Sequence, residues 1–469
     1  MMPRNSQSPS SDRFGVQAAF APALAVLSLL SSACGDRYSG DTPPYGAAAN
    51  PGSANGGSAT AMAGANNAGS AGMGDTAGSS PGATGGGAGA GEPDPVGGAC
   101  VPADFAMGAN RVVAAAPRIS LGKRVVGSAG VTNPGVLVDG AYHSGASTGF
   151  GVPTAAAPAS VSIELVAAGA ADGPSRVLVV WKDAGWEQYT SAAGGAPGEY
   201  HFESSADSTD GVDGTWTAVG ATITGNSVNN RAHALEFANQ RWLRLVVTAA
   251  AGPAVTLDEI TVHDASESPS GLIDDTWVFF GDSITQLAFR RDIAAASFFD
   301  AKVGETEPTR FPALINAGVG GDLVTNGLAR LDQALELNAD FKYFAIGFGT
   351  NDSWGNNLPA GANYENNMRT LINRVIAGGR VPVLARIPFA NGTNMATGAD
   401  EHTTVPDFNQ VVDALQAEFG LPCGPDLYAV FEEAQDGLGP DGVHPNTQGY
   451  VRMNAAWAGR AEALYTAAP

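Results

Sequence analysis

The sequence predicts two folded domains of different class, an antiparallel β-sandwich followed by an α/β/α domain with a parallel sheet. Short β-rich runs without a helical period occupy residues 99–265, whereas apolar strands alternate with amphipathic helices over residues 272–469. The chain has 469 residues, which is more than one ordinary domain needs. These observations predict a multidomain protein in which each domain has its own core.

Residues 1–34 have the features of an export signal. Two arginines precede an apolar stretch from Phe14 to Leu30, and small residues then lead to Cys34 in "LSSAC". "SSAC" resembles a bacterial lipobox, in which Cys34 is lipidated, although Ser31 stands where leucine is usual. We expect an exported protein anchored to the cell envelope by this lipid; simple secretion after Ala33 and an uncleaved anchor are the alternatives.

Residues 35–98 form a segment of low complexity between this signal and the folded domains. The segment consists almost entirely of Gly, Ala, Ser, Asn, Pro and Thr, for example in "GATGGGAGAGEPDPVGG". Such residues bury too little apolar surface to offset the loss of chain entropy, so a disordered linker is predicted. A tether of this length would hold the folded domains clear of a membrane surface.

The charge of the chain excludes one class of partner. The sequence has 46 acidic and 24 basic residues, and its formal net charge of −22 provides no excess of cations to neutralise phosphates. We therefore expect no nucleic-acid partner, and contact with a membrane only through the lipid anchor.

The cysteine content fits export. The three cysteines are Cys34, Cys100 and Cys423. If lipid modifies Cys34, an even pair remains for an oxidising compartment, and we predict a disulfide between Cys100 and Cys423. Two unrelated buried thiols are the alternative.

The sandwich is predicted from five runs of strand length that are separated by Gly, Asn, Asp and Pro. The runs are "ASVSIELV", "SRVLVVW", "TWTAVGATI", "RWLRLVV" and "AVTLDEITV". In their order, "ISLGKRV", "LVDGAYHSG", "VLVVWKD", "HFESSADSTDGVDGTWTAV", "RWLRLVV" and "VTLDEITVHD" resemble the discoidin, or coagulation-factor C-type, family of galactose-binding-like jelly rolls. The resemblance implies a sugar-binding domain, although the cysteine pair that closes many members is absent.

Two groups of side chains in this domain have two interpretations each. Three aromatic residues either stack on a sugar or pack in the core, and they are Trp181, Trp186 and Tyr189. Three aspartates either bind calcium or form a hairpin turn, and they are Asp207, Asp210 and Asp213.

The second domain is predicted as a flavodoxin-like parallel sheet between two layers of helices. Near-continuous apolar runs are expected to be strands that are buried on both faces, and they are "TWVFF", "ALINAG", "KYFAIGF", "VPVLARI" and "LYAVF". Runs with helical periodicity follow them, and they are "VTNGLARLDQALELN", "NYENNMRTLINRVIAGG", "VPDFNQVVDALQAEFG" and "NTQGYVRMNAAWAGRAEALYTAA".

Polar motifs come after these strands, where a parallel sheet gathers functional groups. Gly281-Asp282-Ser283 ends the first strand, "AGVGGD" ends the second, "GTND" ends the third and "DGVHPN" precedes the final helix. Each motif alone is an ordinary turn or helix cap. Together they bring a serine, backbone donors, an amide, a histidine and a carboxylate to one edge of the sheet.

This set of side chains fits nucleophilic catalysis by Ser283. A serine hydroxyl is a poor nucleophile until a base removes its proton, and the imidazole of His444 is suited to this role. Asp441, three residues before His444, can fix the tautomer of the ring and stabilise its charged form. The sequence contains no His and Cys spacing typical of metal sites, no phosphate-binding loop and no nucleotide fingerprint, so no metal or cofactor is expected.

In this order the four motifs resemble those of the GDSL-type, or SGNH, serine hydrolases over residues 272–469. The resemblance implies that Ser283, Asp441 and His444 form the catalytic triad. It also implies that the oxyanion hole consists of the Ser283 N–H, the Gly321 N–H and the Asn351 side chain. The adjoining Gly320 is a rival for the second donor.

We therefore expect an exported serine esterase that hydrolyses acyl groups, above all acetyl groups on carbohydrate, through an acyl-serine intermediate. The alternatives are a lysophospholipase-like, thioesterase-like or aryl esterase, and a glycan-binding surface adhesin with a vestigial hydrolase domain. Because the sandwich carries no catalytic motif, its removal is expected to slow hydrolysis of a polymer and to spare small esters.

Overall fold

The fold is taken from a computed structural model, which describes residues 113–170, 172–190, 195–353, 360–392 and 404–465, without the side chains of 360–362. Both predicted domains lie within one compact unit, Pro93–Pro469. The signal peptide, the linker, the lipidated Cys34 and Cys100 fall outside the described residues and stay predictions. Within the described ranges, no helix is long and apolar enough to cross a membrane.

Nine strands of the first domain form two antiparallel sheets, as predicted. They are β1 (Val125–Gly127), β2 (Thr148–Gly151), β3 (Ala159–Glu164), β4 (Arg176–Asp183), β5 (Pro197–Ser205), β6 (Thr217–Ile223), β7 (Asn230–Glu236), β8 (Trp242–Ala250) and β9 (Val255–Asp264). One sheet has the order β1-β3-β8-β5-β6 and the other the order β2-β9-β4-β7. The five predicted runs correspond to β3, β4, β6, β8 and β9, while the other four strands were not predicted.

Strand β4 of the four-stranded sheet is buried on both of its faces. All eight residues of β4 are buried, and alternate ones point in opposite directions. Val177 and Val179 pack in the core between the two sheets. Leu178 and Val180 belong to another hydrophobic cluster, which includes Ile315 of the second domain. The apolar run "SRVLVVW" thus contributes side chains to two cores. One lies between the two sheets of the first domain, and the other is shared by both domains.

The three aromatic residues considered for sugar binding are buried and pack in the protein. Trp181 is 0 % exposed, and its indole N–H donates to the Tyr200 hydroxyl at 3.1 Å. Trp186 is 0 % exposed and packs against Phe289 of the second domain, with ring centroids 5.7 Å apart. Tyr189 is also buried. Because none of these rings is accessible, the packing interpretation is correct.

The second domain contains a five-stranded parallel sheet. Its strands are β10 (Ile273–Gly281), β11 (Ala313–Gly318), β12 (Phe341–Gly347), β13 (Val381–Arg386) and β14 (Cys423–Asp426). Their order in the sheet is β11-β10-β12-β13-β14, which is the two-one-three-four-five order of flavodoxin-like folds. The sheet therefore agrees with the predicted architecture.

Helices connect these strands and cover the sheet. They are α1 (Ser283–Leu287), α2 (Phe299–Thr306), α3 (Val324–Leu337), α4 (Ala360–Ala377), α5 (Val405–Phe419), α6 (Leu427–Glu433) and α7 (Thr447–Tyr465). The four predicted helices correspond to α3, α4, α5 and α7. The two clusters of buried apolar side chains in this domain contain residues from different helices, with Leu331 of α3 in one and Met453 of α7 in the other.

The prediction of "LYAVF" as the last strand is wrong. These residues lie in α6, and the strand is the preceding tetrapeptide Cys423–Asp426. The Asp426 carboxylate accepts the Ala429 N–H at 3.0 Å and so caps the helix at its first turn. Leu427 and Phe431, four residues apart, are the two buried residues on its inner face. Over only five residues, the apolar pattern of a buried helix cannot be distinguished from the continuous apolar run of a buried strand.

Cys423 opens β14 and is disulfide-bonded. The predicted partner, Cys100, lies outside the described residues, so this pairing stays a prediction. Such a bond persists in the oxidising compartments that exported proteins reach.

Candidate active site

The predicted motifs meet at the carboxyl edge of the parallel sheet. Strand β10 lies between β11 and β12, and its last residue, Gly281, pairs with Gly318 on one side and with Gly347 on the other. The loops that follow these three strands therefore begin side by side. Ser283 stands two residues after Gly281 and is the first residue of α1.

The sharp turn before Ser283 depends on glycine and on a helix cap. A Cβ on Gly281 would lie 2.4 Å from the Gly347 carbonyl oxygen, so a larger side chain would push the strands apart. Asp282 is the N-cap of α1, and its Oδ1 accepts the Ile284 N–H at 2.9 Å. The capping interpretation of this motif is thus correct for Asp282, and the hydroxyl of Ser283 is not needed as a cap.

Ser283, His444 and Asp441 form a continuous hydrogen-bonded relay. The Ser283 Oγ lies 2.8 Å from the His444 Nε2, and the His444 Nδ1 lies 2.6 Å from the Asp441 Oδ2. This arrangement suits a serine hydroxyl that donates to a neutral imidazole, with the carboxylate accepting the other ring N–H. The structure therefore brings together the three residues predicted to form the triad.

The Asp441 carboxylate is held in the charged form. Partial burial raises its pKa, but hydrogen bonds from the His444 ring and from the Val443 and His444 N–H groups outweigh this effect, and the pKa falls to about 2. Its Oδ1 accepts both N–H groups at 3.0 Å, which leaves Oδ2 for the imidazole. The aspartate thus stays ionised at any pH at which the imidazole can act as a base.

The loop that carries Asp441 and His444 is packed against its neighbour. Gly442 has φ +68°, and a Cβ there would lie 2.3 Å from the Asn391 Oδ1. The Asn391 N–H donates to the Gly442 carbonyl at 2.8 Å. On the other side, the Asn446 side chain accepts the Gly449 N–H at 3.0 Å and so caps the start of α7. These contacts fix the histidine relative to the sheet.

The three predicted oxyanion donors lie in the loops that follow β10, β11 and β12. The Ser283 N–H is in the first turn of α1, where a helix leaves its N–H groups unbonded. The Gly320 N–H donates to the Gln286 Oε1 at 2.6 Å, so the Gly321 N–H is the better donor of the two glycines. The Asn351 Nδ2 donates to the Asp322 carbonyl at 3.0 Å, which ties the loop after β12 to the glycine loop.

Arg330 of α3 supports this edge of the sheet and was missed in the sequence. Its guanidinium donates to the Gly281 carbonyl at 2.9 Å and to the Ala317 carbonyl at 2.8 Å, and it pairs with the Asp322 carboxylate at 2.8 Å. One side chain therefore joins the ends of β10 and β11 to the glycine loop. The only sequence signal is a cation within the amphipathic helix "VTNGLARLDQ", which is not specific.

Asp352 caps a helix and is not part of the relay. Its two carboxylate oxygens accept the Val324 N–H at 3.3 and 3.2 Å, at the start of α3. Burial raises its pKa to about 6. The turn interpretation of "GTND" is correct for the backbone, and Asp352 also has this long-range role.

The Asp282 carboxyl is buried next to the nucleophile. Asp282 is 1 % exposed, and this burial raises the pKa of its carboxyl group to about 7. The hydrogen bond from the Ile284 N–H and the nearby His444 ring have the opposite effect and lower the pKa. The nearby carboxylates of Asp352 and Asp322 raise the pKa further.

Because this pKa is raised, Asp282 should make the protein less stable as the pH rises from about 4 to about 7. Between an ordinary value near 3.8 and about 7, the folded protein keeps a proton that the unfolded chain releases. The favourable contribution of this group is complete below the lower value and is lost as the pH rises through the upper one. We expect Asp282→Asn, which retains a capping oxygen, to lose less stability than wild type between about pH 4 and about pH 7, by on the order of a few kcal/mol.

Thermal unfolding at several pH values measures this difference. Asp332→Asn, at a carboxylate that is 84 % exposed, is the matched control and should follow the wild-type pH dependence. Equal losses of stability in Asp282→Asn and wild type would contradict the buried-carboxyl explanation.

The three aspartates considered for calcium binding instead form the turn between β5 and β6. Each carboxylate accepts a backbone N–H within the loop at 2.7 Å: Asp207 from Thr215, Asp210 from Val212, and Asp213 from Thr209. This arrangement agrees with the interpretation of these residues as a hairpin turn. In the part of the chain that the structure describes, no group of three or more His, Cys, Asp or Glu side chains is arranged to hold a metal ion.

Comparison with known proteins agrees with the chemistry of this site. Residues 279–452 match the GDSL-like Lipase/Acylhydrolase family, a range that includes Ser283, Asp441 and His444. No curated protein matches the chain.

Solved structures similar to the chain align with two fifths of it. The lipase/acylhydrolase from Enterococcus faecalis is 26% identical, with a TM-score of 0.33, and the alignment covers 40% of this chain and 95% of that one. An acetylxylan esterase from Geobacillus stearothermophilus is 20% identical, with a TM-score of 0.32, over 39% of this chain and 93% of that one. An enzyme from a metagenome of Lake Arreo, Spain, is 20% identical, with a TM-score of 0.34, over 40% and 95%.

The family match and the arrangement of the site lead to one conclusion about activity. The C-terminal part of the chain is a GDSL-like lipase/acylhydrolase domain, and the protein is a carboxylic ester hydrolase.

Proposed function

We propose that this ester hydrolase transfers the acyl group of its substrate to Ser283 and then to water. The Ser283 Oγ attacks the ester carbonyl carbon while His444 Nε2 takes the hydroxyl proton. The carbonyl oxygen becomes an oxyanion, which accepts hydrogen bonds from the Ser283 N–H, the Gly321 N–H and the Asn351 amide. The tetrahedral intermediate then expels the alcohol, which takes the proton from His444.

The second half of the reaction regenerates the serine. Water attacks the acyl-serine carbonyl carbon and gives a proton to His444 Nε2, and the carboxylic acid leaves as the Ser283 Oγ recovers that proton. Asp441 stays ionised and stabilises the imidazolium in both halves. The observation that carries this proposal is the relay itself, with 2.8 Å between serine and histidine and 2.6 Å between histidine and aspartate.

The substrate that fits best has a short acyl group on a bulky alcohol, such as acetylated carbohydrate. In the described part of the site, the relay is open to solvent, since the side chains of His444 and Asp441 are 26 % and 37 % exposed. Gly321 is also exposed. An open site accommodates a polymer that carries small esters, whereas a long acyl chain needs an apolar pocket to cover it. The resemblance of the sandwich to sugar-binding jelly rolls supports the same substrate class.

Export and lipidation of Cys34 would place the enzyme at the cell envelope, where such polymers occur. This part of the proposal depends on the signal sequence alone, because residues 1–34 lie outside the described ranges.

Two substrate series test the proposed function. The first is a set of acyl esters of one alcohol with rising acyl length, and we expect kcat/KM to be highest for acetyl and to fall with each added pair of carbons. The second is a set of acetylated oligosaccharides and an acetylated lipid-like alcohol, and we expect preference for the oligosaccharides. Highest activity on long acyl chains would favour a lipid esterase, and no activity on any ester would favour the adhesin.

A further inference from the structure

One glutamine side chain connects the nucleophile helix to the oxyanion loop, defined here as residues 319–322. Gln286 lies in α1, three residues after Ser283, and its Oε1 accepts the Gly320 N–H at 2.6 Å. Even a Cβ on Gly320 would lie only 3.1 Å from this oxygen, so the side chain is packed directly against the glycine backbone. The contact fixes the residue that precedes Gly321, the proposed oxyanion donor.

The main chain of Gln286 is held in turn by a buried asparagine. Asn316 of β11 is 0 % exposed, and its Nδ2 lies 3.2 Å from the Gln286 carbonyl oxygen. The same nitrogen donates towards the carbonyl oxygens of Trp186, at 3.4 Å, and Glu187, at 3.3 Å, in the sandwich loop after β4. The Asn316 Oδ1 accepts the Gly318 N–H at 3.1 Å. One amide thus contacts the nucleophile helix, the end of β11 and the sandwich.

The sandwich also holds the backbone of Asn316. Asn230, the first residue of β7, is buried, and its Nδ2 donates to the Asn316 carbonyl at 3.0 Å. Its Oδ1 accepts the Asn316 N–H at the same distance. The side chain therefore bonds to β11 as a neighbouring strand would. An ion pair between Glu187 and Arg291, in the loop after α1, adds a second connection on this side.

An oxyanion hole needs such restraint, because its donors must be in place before charge develops on the substrate. Gly320 and Gly321 are adjacent, and Gly321 has φ +80°, so this backbone has more conformational freedom than any other pair of residues would give. A donor on such a loop loses its effect when the loop rotates. Side chains outside the loop add restraint: Arg330 and Asn351 bond to Asp322 at its end, and Gln286 bonds to Gly320 in its middle.

We propose that Gln286 is a positioning residue for the oxyanion hole, and that Asn316 holds it in place through its contacts with the sandwich. The inference rests on the proposed function of the Ser283 site. Gln286 touches no reacting atom; it acts through Gly320 on the direction of the Gly321 N–H. The sandwich is in this way part of the catalytic apparatus, in addition to any binding of substrate.

The test is a full kinetic comparison of Gln286→Met, which keeps the length of the side chain and removes the acceptor. On a small acetyl ester, we expect kcat to fall roughly tenfold, with KM within about twofold of wild type and the melting temperature within a few degrees. The matched control is Gln333→Met, the same substitution at an exposed glutamine whose Nε2 contacts the Ser227 Oγ at 3.5 Å. This control should have wild-type kcat.

Two further variants test the mechanism of the effect. Asn316→Ala should also lower kcat, and a wild-type kcat in this variant would overturn the connection to the sandwich. In the double variant Gln286→Met and Asn351→Ala, the fold loss of kcat should be smaller than the product of the two single-variant losses, because both residues act on one oxyanion hole. Independent, multiplicative losses would overturn the positioning role.

The outcomes separate this inference from the proposed function. If Ser283→Ala keeps its turnover, the assignment of the whole site is wrong. If Ser283→Ala is inactive and Gln286→Met keeps a wild-type kcat, or changes only KM, the site assignment holds and Gln286 has no positioning role.

Discussion

Replacement of Ser283 by alanine should lower kcat on a simple acetyl ester by about 10⁴-fold or more. The reason is that no other group in the relay can form the acyl intermediate once the hydroxyl is removed. The fold should remain, because Asp282 supplies the cap of α1 and alanine is a good helix former. Turnover of the purified variant and its thermal unfolding measure both effects.

The matched control for this prediction is Ser227→Ala, at an exposed serine before β7. This variant should have wild-type turnover. Residual activity in Ser283→Ala within tenfold of wild type would show that another residue is the nucleophile. A large fall in melting temperature would show instead that the hydroxyl has a structural role.

Removal of the sandwich should have a comparably large effect. We expect the fragment 272–469 to lose cooperative unfolding and most of its turnover of small esters, in contrast to the sequence-based expectation that small esters would be spared. In the intact protein, Trp186 packs against Phe289 and Phe298, with ring centroids 5.7 and 5.8 Å apart, and Asn230 is bonded to the backbone of β11. The fragment would expose these surfaces to water.

The size of the effect follows from typical stabilities. Exposure of a buried large apolar side chain costs roughly 1.5–3 kcal/mol. A few such losses approach the whole stability of an ordinary domain, which is about 5–15 kcal/mol. A fragment that starts at residue 99 keeps the sandwich and is the control; it should unfold and turn over substrate like the full chain.

Thermal unfolding followed by circular dichroism, together with turnover of an acetyl ester, shows whether the α/β domain depends on the sandwich or folds and functions without it. If the fragment 272–469 unfolds cooperatively at the wild-type temperature and keeps wild-type kcat, the sandwich is an independent module. In that case, the positioning role of Asn316 would also need another explanation.

Short local motifs made the catalytic residues predictable. Ser283 stands directly after a buried strand, and Asp441 and His444 are three residues apart, so their relation could be inferred from neighbouring letters of the sequence. The parallel sheet was predictable for a similar reason, because strands buried on both faces are continuous apolar runs. Cys423 is disulfide-bonded, and its predicted partner, Cys100, stays a prediction.

The supporting residues could not be predicted, because their contacts are distant in the sequence. Asn316 bonds to Trp186 and Asn230, and Arg330 bonds to Gly281; none of these pairs shares a motif. Strand β7, "NRAHALE", was missed because it is rich in polar residues; one of them, Asn230, is buried through its hydrogen bonds to β11, which propensity does not reveal.

The burial of β4 on both faces has a consequence for the order in which the protein assembles. The sandwich precedes the α/β domain in the chain, so it is synthesised first. Until the second domain forms, Leu178 and Val180 would lie on an uncovered sheet, and β11, before Asn230 bonds to it, would be an open edge. Both surfaces are typical sites of aggregation in partly folded proteins. Productive folding therefore requires the α/β domain to cover these surfaces soon after it is synthesised.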